Sequence, residues 1–227
     1  MKSCTSKNTI VVACRTIAAE LNLAIRETGC PYPVLWVDAG LHRSTSALHS
    51  RLQAELDRIE NVGRVILAFG FCGHALEDLT AGDFELIFPR VDDCITLLLD
   101  PTTQGKEMGT FYLTPGWLDN EISLWNEYQQ TIKRYGQTKA DHIYRIMLTG
   151  YRRLGLIDTS VYSVTEFMLK TRKIAAAFSL TQQAVPGTIR YLKKLLTGPW
   201  DDEFIVIAPG ESVGLEQLLP FSAARNL

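Results

Sequence analysis

The first half of the chain alternates short apolar runs with segments whose apolar residues recur at helical spacing. Residues 9–14 (TIVVAC) read as a strand, and 15–28 (RTIAAELNLAIRET) as a helix that stops at Gly29. A second strand is expected at 33–40 (PVLWVDAG). A helix follows over 45–60, with Leu48, Leu52, Leu56 and Ile59 on one face. The run at 64–70 (RVILAFG) is continuously apolar, as in a strand covered on both faces. A fourth strand is expected at 84–90 (FELIFPR), then a short helix in VDDCITLLL, a fifth strand at 109–117 (GTFYLTPGW) and a helix at about 117–134.

From 140 to 196 the pattern turns mainly helical, in DHIYRIMLTGYRRLGLI, VTEFMLKTRKIAAAF and TIRYLKKLLTG. The run EFIVIAPG (203–210) then supplies a late strand that returns to the sheet. Strands alternating with helices predict an α/β fold: an open, mostly parallel, Rossmann-like sheet with helices on both faces. The strands holding Val11, Val37, Leu67 and Ile87 are expected at its centre. No Pro/Ser-rich linker divides the chain, so 1–227 reads as one domain, with 136–227 as a candidate sub-lobe.

Composition changes this picture little. The 227 residues are 46% hydrophobic and 21% charged, with a net charge of −2, ordinary values for a globular protein. That balance gives no footprint for a nucleic-acid partner. The longest apolar runs are broken by charge well before membrane-spanning length, and the first ten residues lack the apolar core of a signal peptide. A cytoplasmic protein is expected. Five cysteines (4, 14, 30, 72 and 94) without a CxxC pair argue against a disulfide framework, a zinc ribbon and an ordinary ferredoxin loop.

The chemistry collects where the strands end. Strand one ends at Cys14, strand two leads through AGLH to His42, strand three through FCGH to Cys72 and His74, and strand four through RVDDC to Cys94. In a parallel sheet these carboxyl ends share one edge, where open α/β proteins bind their ligands. Three thiols and an imidazole suit zinc or an iron–sulfur centre. Each thiol taken alone reads more readily as a small core residue than as a ligand, and it is their joint position after successive strands that brings in a shared site. His42 is preferred to His74 because DAGLH leaves a strand directly, whereas His74 falls in the first turn of a segment that could leave its ring in solvent. Cys4 and Cys30 carry no special chemistry in this reading, and His49 and His142 read as helix-surface residues.

Gly70 and Gly73 let the backbone turn tightly beside a crowded cysteine. FGFCG matches neither GxGxxG nor GxxxxGK[ST], so it is no phosphate loop. Arg90 could clamp an anionic ligand or pair with Asp92 or Asp93, and either aspartate could orient an imidazole. Trp117, in a turn or helix start opened by Pro115, either walls a pocket or packs. Arg90, Asp93, Trp117 and Gly73 are the candidate substrate-binding residues.

The segments VVACRTIAAEL, VLWVDAGLH, VILAFGFCGHAL, LIFPRVDDCITLLL, GTFYLTPGW and FIVIAPG together resemble a bacterial and archaeal family known only as domain of unknown function sixteen thirty-eight. The resemblance spans nearly the whole chain and is strongest over 9–118. It implies cysteines at the positions of Cys14, Cys72 and Cys94 and a histidine at that of His42. It brings no established reaction, but the family's setting beside methyltransferase genes implies a role in methyl or corrinoid chemistry. GFCGHALEDL departs from the family's usual Gly/Asn-rich turn, which weakens any role for His74.

The leading expectation is therefore a metal-binding protein with a Cys3His site for zinc or an iron–sulfur cluster, serving methyl transfer. A second is a non-catalytic accessory or carrier for a corrinoid methyltransferase system, although the corrinoid signature DxHxxG is absent. A third is a thiol-nucleophile enzyme using Cys72 beside His74 or His42. A small anionic ligand or a corrinoid/methyltransferase protein is the expected partner, and self-association is left open.

Overall fold

The structure, a computed structural model, describes residues 8–99 and 106–218. The reading of Cys4 lies outside these residues. The first strand, β1 (Thr9–Cys14), is entirely apolar after Thr9, and Val11, Val12, Ala13 and Cys14 are fully buried. A 3-10 turn (Arg15–Ile17) leads into α1 (Ala18–Thr28). That helix ends where Gly29 takes φ +68 and returns its N–H to the Ile25 carbonyl, a left-handed cap that glycine accepts without strain.

The strand β2 (Val34–Val37) pairs parallel to β1, and α2 (Thr45–Leu56), capped by the Ser44 hydroxyl, buries Leu48, Leu52 and Leu56. Next come β3 (Arg64–Ala68), buried at every position, and β4 (Glu85–Pro89), both parallel. Because the order is β2-β1-β3-β4, the first crossover runs one way across the sheet and the second runs back. Right-handed crossovers then place α1 and α2 on opposite faces. This is the mostly parallel α/β sheet that the sequence pattern predicts.

The late strand β8 (Phe204–Ile207) returns to this sheet, antiparallel to β4. Val37 departs from expectation: its strand lies at an end of the sheet, not the centre, and three of its four residues are only half-buried.

The largest difference is a second parallel sheet of three strands, β5 (Thr110–Leu113), β6 (Arg153–Asp158) and β7 (Thr181–Pro186). The strand expected at 109–117 belongs here, and the stretch read as mainly helical contributes two strands as well as helices. Around them lie α3 (Cys94–Leu99), α4 (Pro115–Leu118), α5 (Leu124–Tyr135), α6 (Gln137–Met147), α7 (Val164–Ala177) and α8 (Arg190–Thr197). The helix expected at 117–134 is thus two, split at Asp119–Ser123. Cys30, expected to carry no special chemistry, is buried and disulfide-bonded. No helix among the described residues is long and apolar enough to cross a membrane.

The two sheets meet at their carboxyl ends. Gly116, in α4 after β5, sits so close to the turn after β1 that a Cβ there would lie 1.9 Å from the Thr16 carbonyl oxygen. After β6, the Thr159 hydroxyl donates to the Glu20 carboxylate of α1 at 3.3 Å. Glu20 is 2% exposed on an otherwise apolar helix face with Ile17, Leu21 and Ala24.

Burial pushes the Glu20 carboxyl above its ordinary range, against lowering by its own backbone and by Thr159. A carboxyl raised in the fold stabilises fully below its unfolded pKa, and that contribution is lost as pH rises through the folded value. Glu20→Gln should therefore raise the denaturation midpoint at neutral pH and lose this advantage near pH ~4, where the unfolded carboxyl itself protonates. Equal midpoints at both pH values would show that Glu20 is not held protonated.

A second expected outcome concerns Gly70. A Cβ there would lie 2.3–2.6 Å from the backbone N, Cα and carbonyl carbon of Asp93. Backbone cannot rotate away as a side-chain tip can. Gly70→Ala should destabilise by roughly 2–4 kcal/mol, the range of severe steric substitutions, as read from urea unfolding.

A candidate thiol centre at the carboxyl edge

Each thiol is placed by the end of a strand. Cys14 is the last residue of β1 and caps the 3-10 turn that follows. After β2, the Asp38 carboxylate accepts from the Gly40 N–H at 2.8 Å, which starts a 3-10 helix over Ala39–Arg43 that carries His42. The loops after β3 and β4 are joined by backbone bonds, with Phe71 N–H donating to Val91 and Cys72 N–H to Asp92, both at 2.8 Å. The Asp93 carboxylate then accepts from the Thr96 N–H and hydroxyl, each at 2.8 Å, and so caps the first turn of α3, where Cys94 stands.

The strand order reverses direction between β1 and β3, so the crevice outside their carboxyl ends is the switch point of this sheet. Cys14 and Cys72 follow those two strands.

The four residues named from strand ends are brought together as a chain of contacts. Cys94 neighbours Cys72 on one side and Cys14 on the other, close enough for each to influence its titration. The Cys14 sulfur lies 3.2 Å from His42 Nε2 and 3.0 Å from the Thr16 hydroxyl. Cys14 and Cys94 are fully buried, whereas Cys72 is half-buried. The arrangement is linear and not a closed shell: among the described residues no three Cys, His, Asp or Glu side chains are grouped to hold a metal ion as they stand.

The electrostatics follow from that chain. Contact with Cys94 and burial push the Cys14 thiol well above its ordinary range, outweighing the lowering by His42. For Cys94 the Cys14 contact lowers the value. The Cys72 contact and burial win, and its thiol too stands well above the usual range. Both buried sulfurs are therefore protonated thiols at neutral pH.

The turn after β3 is strained. Cys72, Gly73 and His74 take φ values of 47°, 68° and 71°, a run of left-handed residues of which only the glycine is at ease. His49 of α2 hydrogen-bonds the Ala75 carbonyl at 3.3 Å and helps hold this turn, a role beyond the helix surface assigned to it. Non-glycine residues in this region persist only where their surroundings hold them, commonly at functional sites.

The remaining candidates separate. The Trp117 ring packs against His42, with centroids 5.2 Å apart, and its buried Nε1 has no hydrogen-bond partner among the described residues. Gly73 lies in the left-handed turn itself. Arg90 is drawn elsewhere, donating to the carbonyls of Asp202 at 3.2 Å and Gln217 at 3.0 Å. Asp93 is divided between the cap of α3 and an ion pair with Lys106. The His74 side chain is 66% exposed and faces Glu77.

Thr16, Glu20 and Gly116 were not among the candidates. Glu20 left a signal, a lone carboxylate in the apolar stripe of α1. Thr16 and Gly116 left none, because both act through contacts between distant segments.

Comparison with known proteins agrees with the resemblance. Neither a curated protein nor a solved structure matches the chain. A family model described as "Protein of unknown function (DUF1638)" matches residues 36–196, a stretch that contains His42, Cys72, Cys94 and Trp117. The chain belongs to the DUF1638 family.

Proposed function

We propose that this protein binds a soft metal ion, zinc or the iron of an iron–sulfur cluster, through Cys14, His42, Cys72 and Cys94. The observation that carries the reading is the contact chain itself. Three sulfurs and an imidazole from four different strand ends line up in sequence, Cys14 bonded to His42 and Cys94 lying between Cys14 and Cys72. The donor set fits in kind, since thiolate and imidazole are the preferred ligands of zinc and thiolate of iron clusters.

It does not yet fit as a shell. The buried Cys14 and Cys94 thiols hold their protons, and a metal replaces thiol protons when it binds, because only deprotonated sulfur coordinates. Closing the chain into a shell asks the half-buried Cys72 and the His42 ring to turn. The Trp117 ring beside His42 limits the imidazole's orientations.

When bound, the ion would supply Lewis acidity, and with one open position it would activate a thiol or water. The family's association with methyltransferases makes thiol methyl transfer, or an accessory role beside a corrinoid protein, the process we propose to test first. We also propose that the protein works in the cytoplasm.

The test is metal content. Protein purified without oxygen should carry zinc or iron in stoichiometric amount, and Cys72→Ser should lose most of it, because serine is a poor ligand for soft metals. The exposed His142→Ala is the control, since Cys30 is committed to a disulfide. Metal at a hundred times its Kd should stabilise the wild type by about 2.7 kcal/mol, and Cys72→Ser by much less. Equal metal content in wild type and Cys72→Ser would return these thiols to the core.

A further inference from the structure

We propose that Cys72 and Cys94 undergo thiol–disulfide exchange with a low-molecular-weight disulfide, Cys72 being the attacking thiol and Cys94 the resolving one. The inference rests on the thiol chain described above but not on a bound metal.

Accessibility assigns the first role. Cys14 and Cys94 are fully buried, so the half-buried Cys72 is the thiol of the three that a solute can meet. It is carried on a left-handed turn that presents it beyond the end of β3. Contact assigns the second role. The sulfur against Cys72 is that of Cys94, whereas Cys14 is engaged by Thr16 and His42 on the far side of Cys94.

The backbones of the two loops are already adjacent, through the bonds from Phe71 to Val91 and Cys72 to Asp92 and through the contact of Gly70 with Asp93. That loop pairing sets Cys72 beside Cys94, so the bond asks for movement of two loop side chains and leaves β3 and β4 in place.

The steps balance. Cys72 gives its proton to solvent, and its sulfur attacks one sulfur of R–S–S–R, forming a mixed disulfide and releasing RS⁻, which takes up a proton. Cys94 then attacks the Cys72 sulfur, the second RS⁻ leaves, and the Cys94 proton passes to it. Two protein thiols are oxidised to one disulfide, and the small disulfide is reduced to two thiols. The oxidised pair can no longer offer two thiolates to a metal, so the disulfide and the metal centre exclude each other.

The experiment uses the full chain, reduced and stripped of metal by chelation, then exposed to oxidised glutathione. It is quenched in acid, alkylated after denaturation and mapped by peptide mass. Among Cys14, Cys72 and Cys94, wild type should lose two free thiols and yield one linked pair, Cys72 with Cys94, while Cys14 is recovered alkylated. Cys94→Ser should instead accumulate glutathione on Cys72 with no link. If that variant does not fold, the wild-type map decides alone.

A link containing Cys14, a stable glutathione adduct on wild-type Cys72, or three free thiols after exposure would overturn the assignment. Metal content of the untreated protein, measured in parallel, separates the two readings. Metal without the disulfide sinks this inference alone, and the disulfide without metal sinks the metal centre alone.

Discussion

The approach of Gly70 to the backbone of Asp93 is the constraint on which the site depends. With no side chain at residue 70, the loop after β3 lies directly on the loop after β4, and the bonds from Phe71 to Val91 and Cys72 to Asp92 follow. That registry carries Cys72 to Cys94. A Cβ at this point would push the loops apart and leave two thiols facing separate surroundings. The same packing forces the chain to turn sharply after Cys72, which gives a mechanical reason for the left-handed run at Cys72, Gly73 and His74. Strain in that turn is offset by the loop pairing on one side and by His49 holding Ala75 on the other.

A second constraint joins the two sheets. Gly116 lies against the Thr16 carbonyl, and α4 thereby brings Trp117 onto the ring of His42. One half of the thiol centre is thus made by loops of the first sheet and its lid by the end of the second. The Glu20–Thr159 contact fastens the same junction. Burial raises the Glu20 carboxyl above its ordinary range, because an unpaired charge is costly on an apolar helix face. Among the described residues the junction is held by close packing and this hydrogen bond.

Much of the first sheet was legible because its strands are short apolar runs punctuated by glycine and its helices show clear spacing. The position of Cys14, His42, Cys72 and Cys94 after successive strands was legible for the same reason, since parallel topology sends all carboxyl ends to one edge. The second sheet was not. RLGLID sits directly behind a helical segment and is too short for periodicity to separate it from helix. TQQAVP is polar and mostly exposed because it forms an outer strand, so it has no apolar run to detect. The outer position of β2 was hidden in the opposite way. Its apolar residues suggested a central strand, but Val34, Leu35 and Trp36 are only half-buried and pack at the margin of the core. Nothing local in the sequence marks Cys30 for a disulfide.

The linear order of contacts carries a final consequence. Three neighbouring thiols have two ways to lose their protons, to a metal or to oxidation, and the geometry treats the members unequally. Cys14 is held at the closed end by Thr16 and His42, Cys94 is shared, and Cys72 stands at the open end on a strained turn. Exchange with solutes must begin at Cys72, because Cys14 and Cys94 are fully buried and out of a solute's reach. Metal binding needs all the sulfurs deprotonated together, whereas oxidation needs only the outer pair. The same linear arrangement that leaves the shell unclosed therefore favours a site that distinguishes its outer thiols from its inner one. A closed tetrahedral cluster of equivalent cysteines would lack that property.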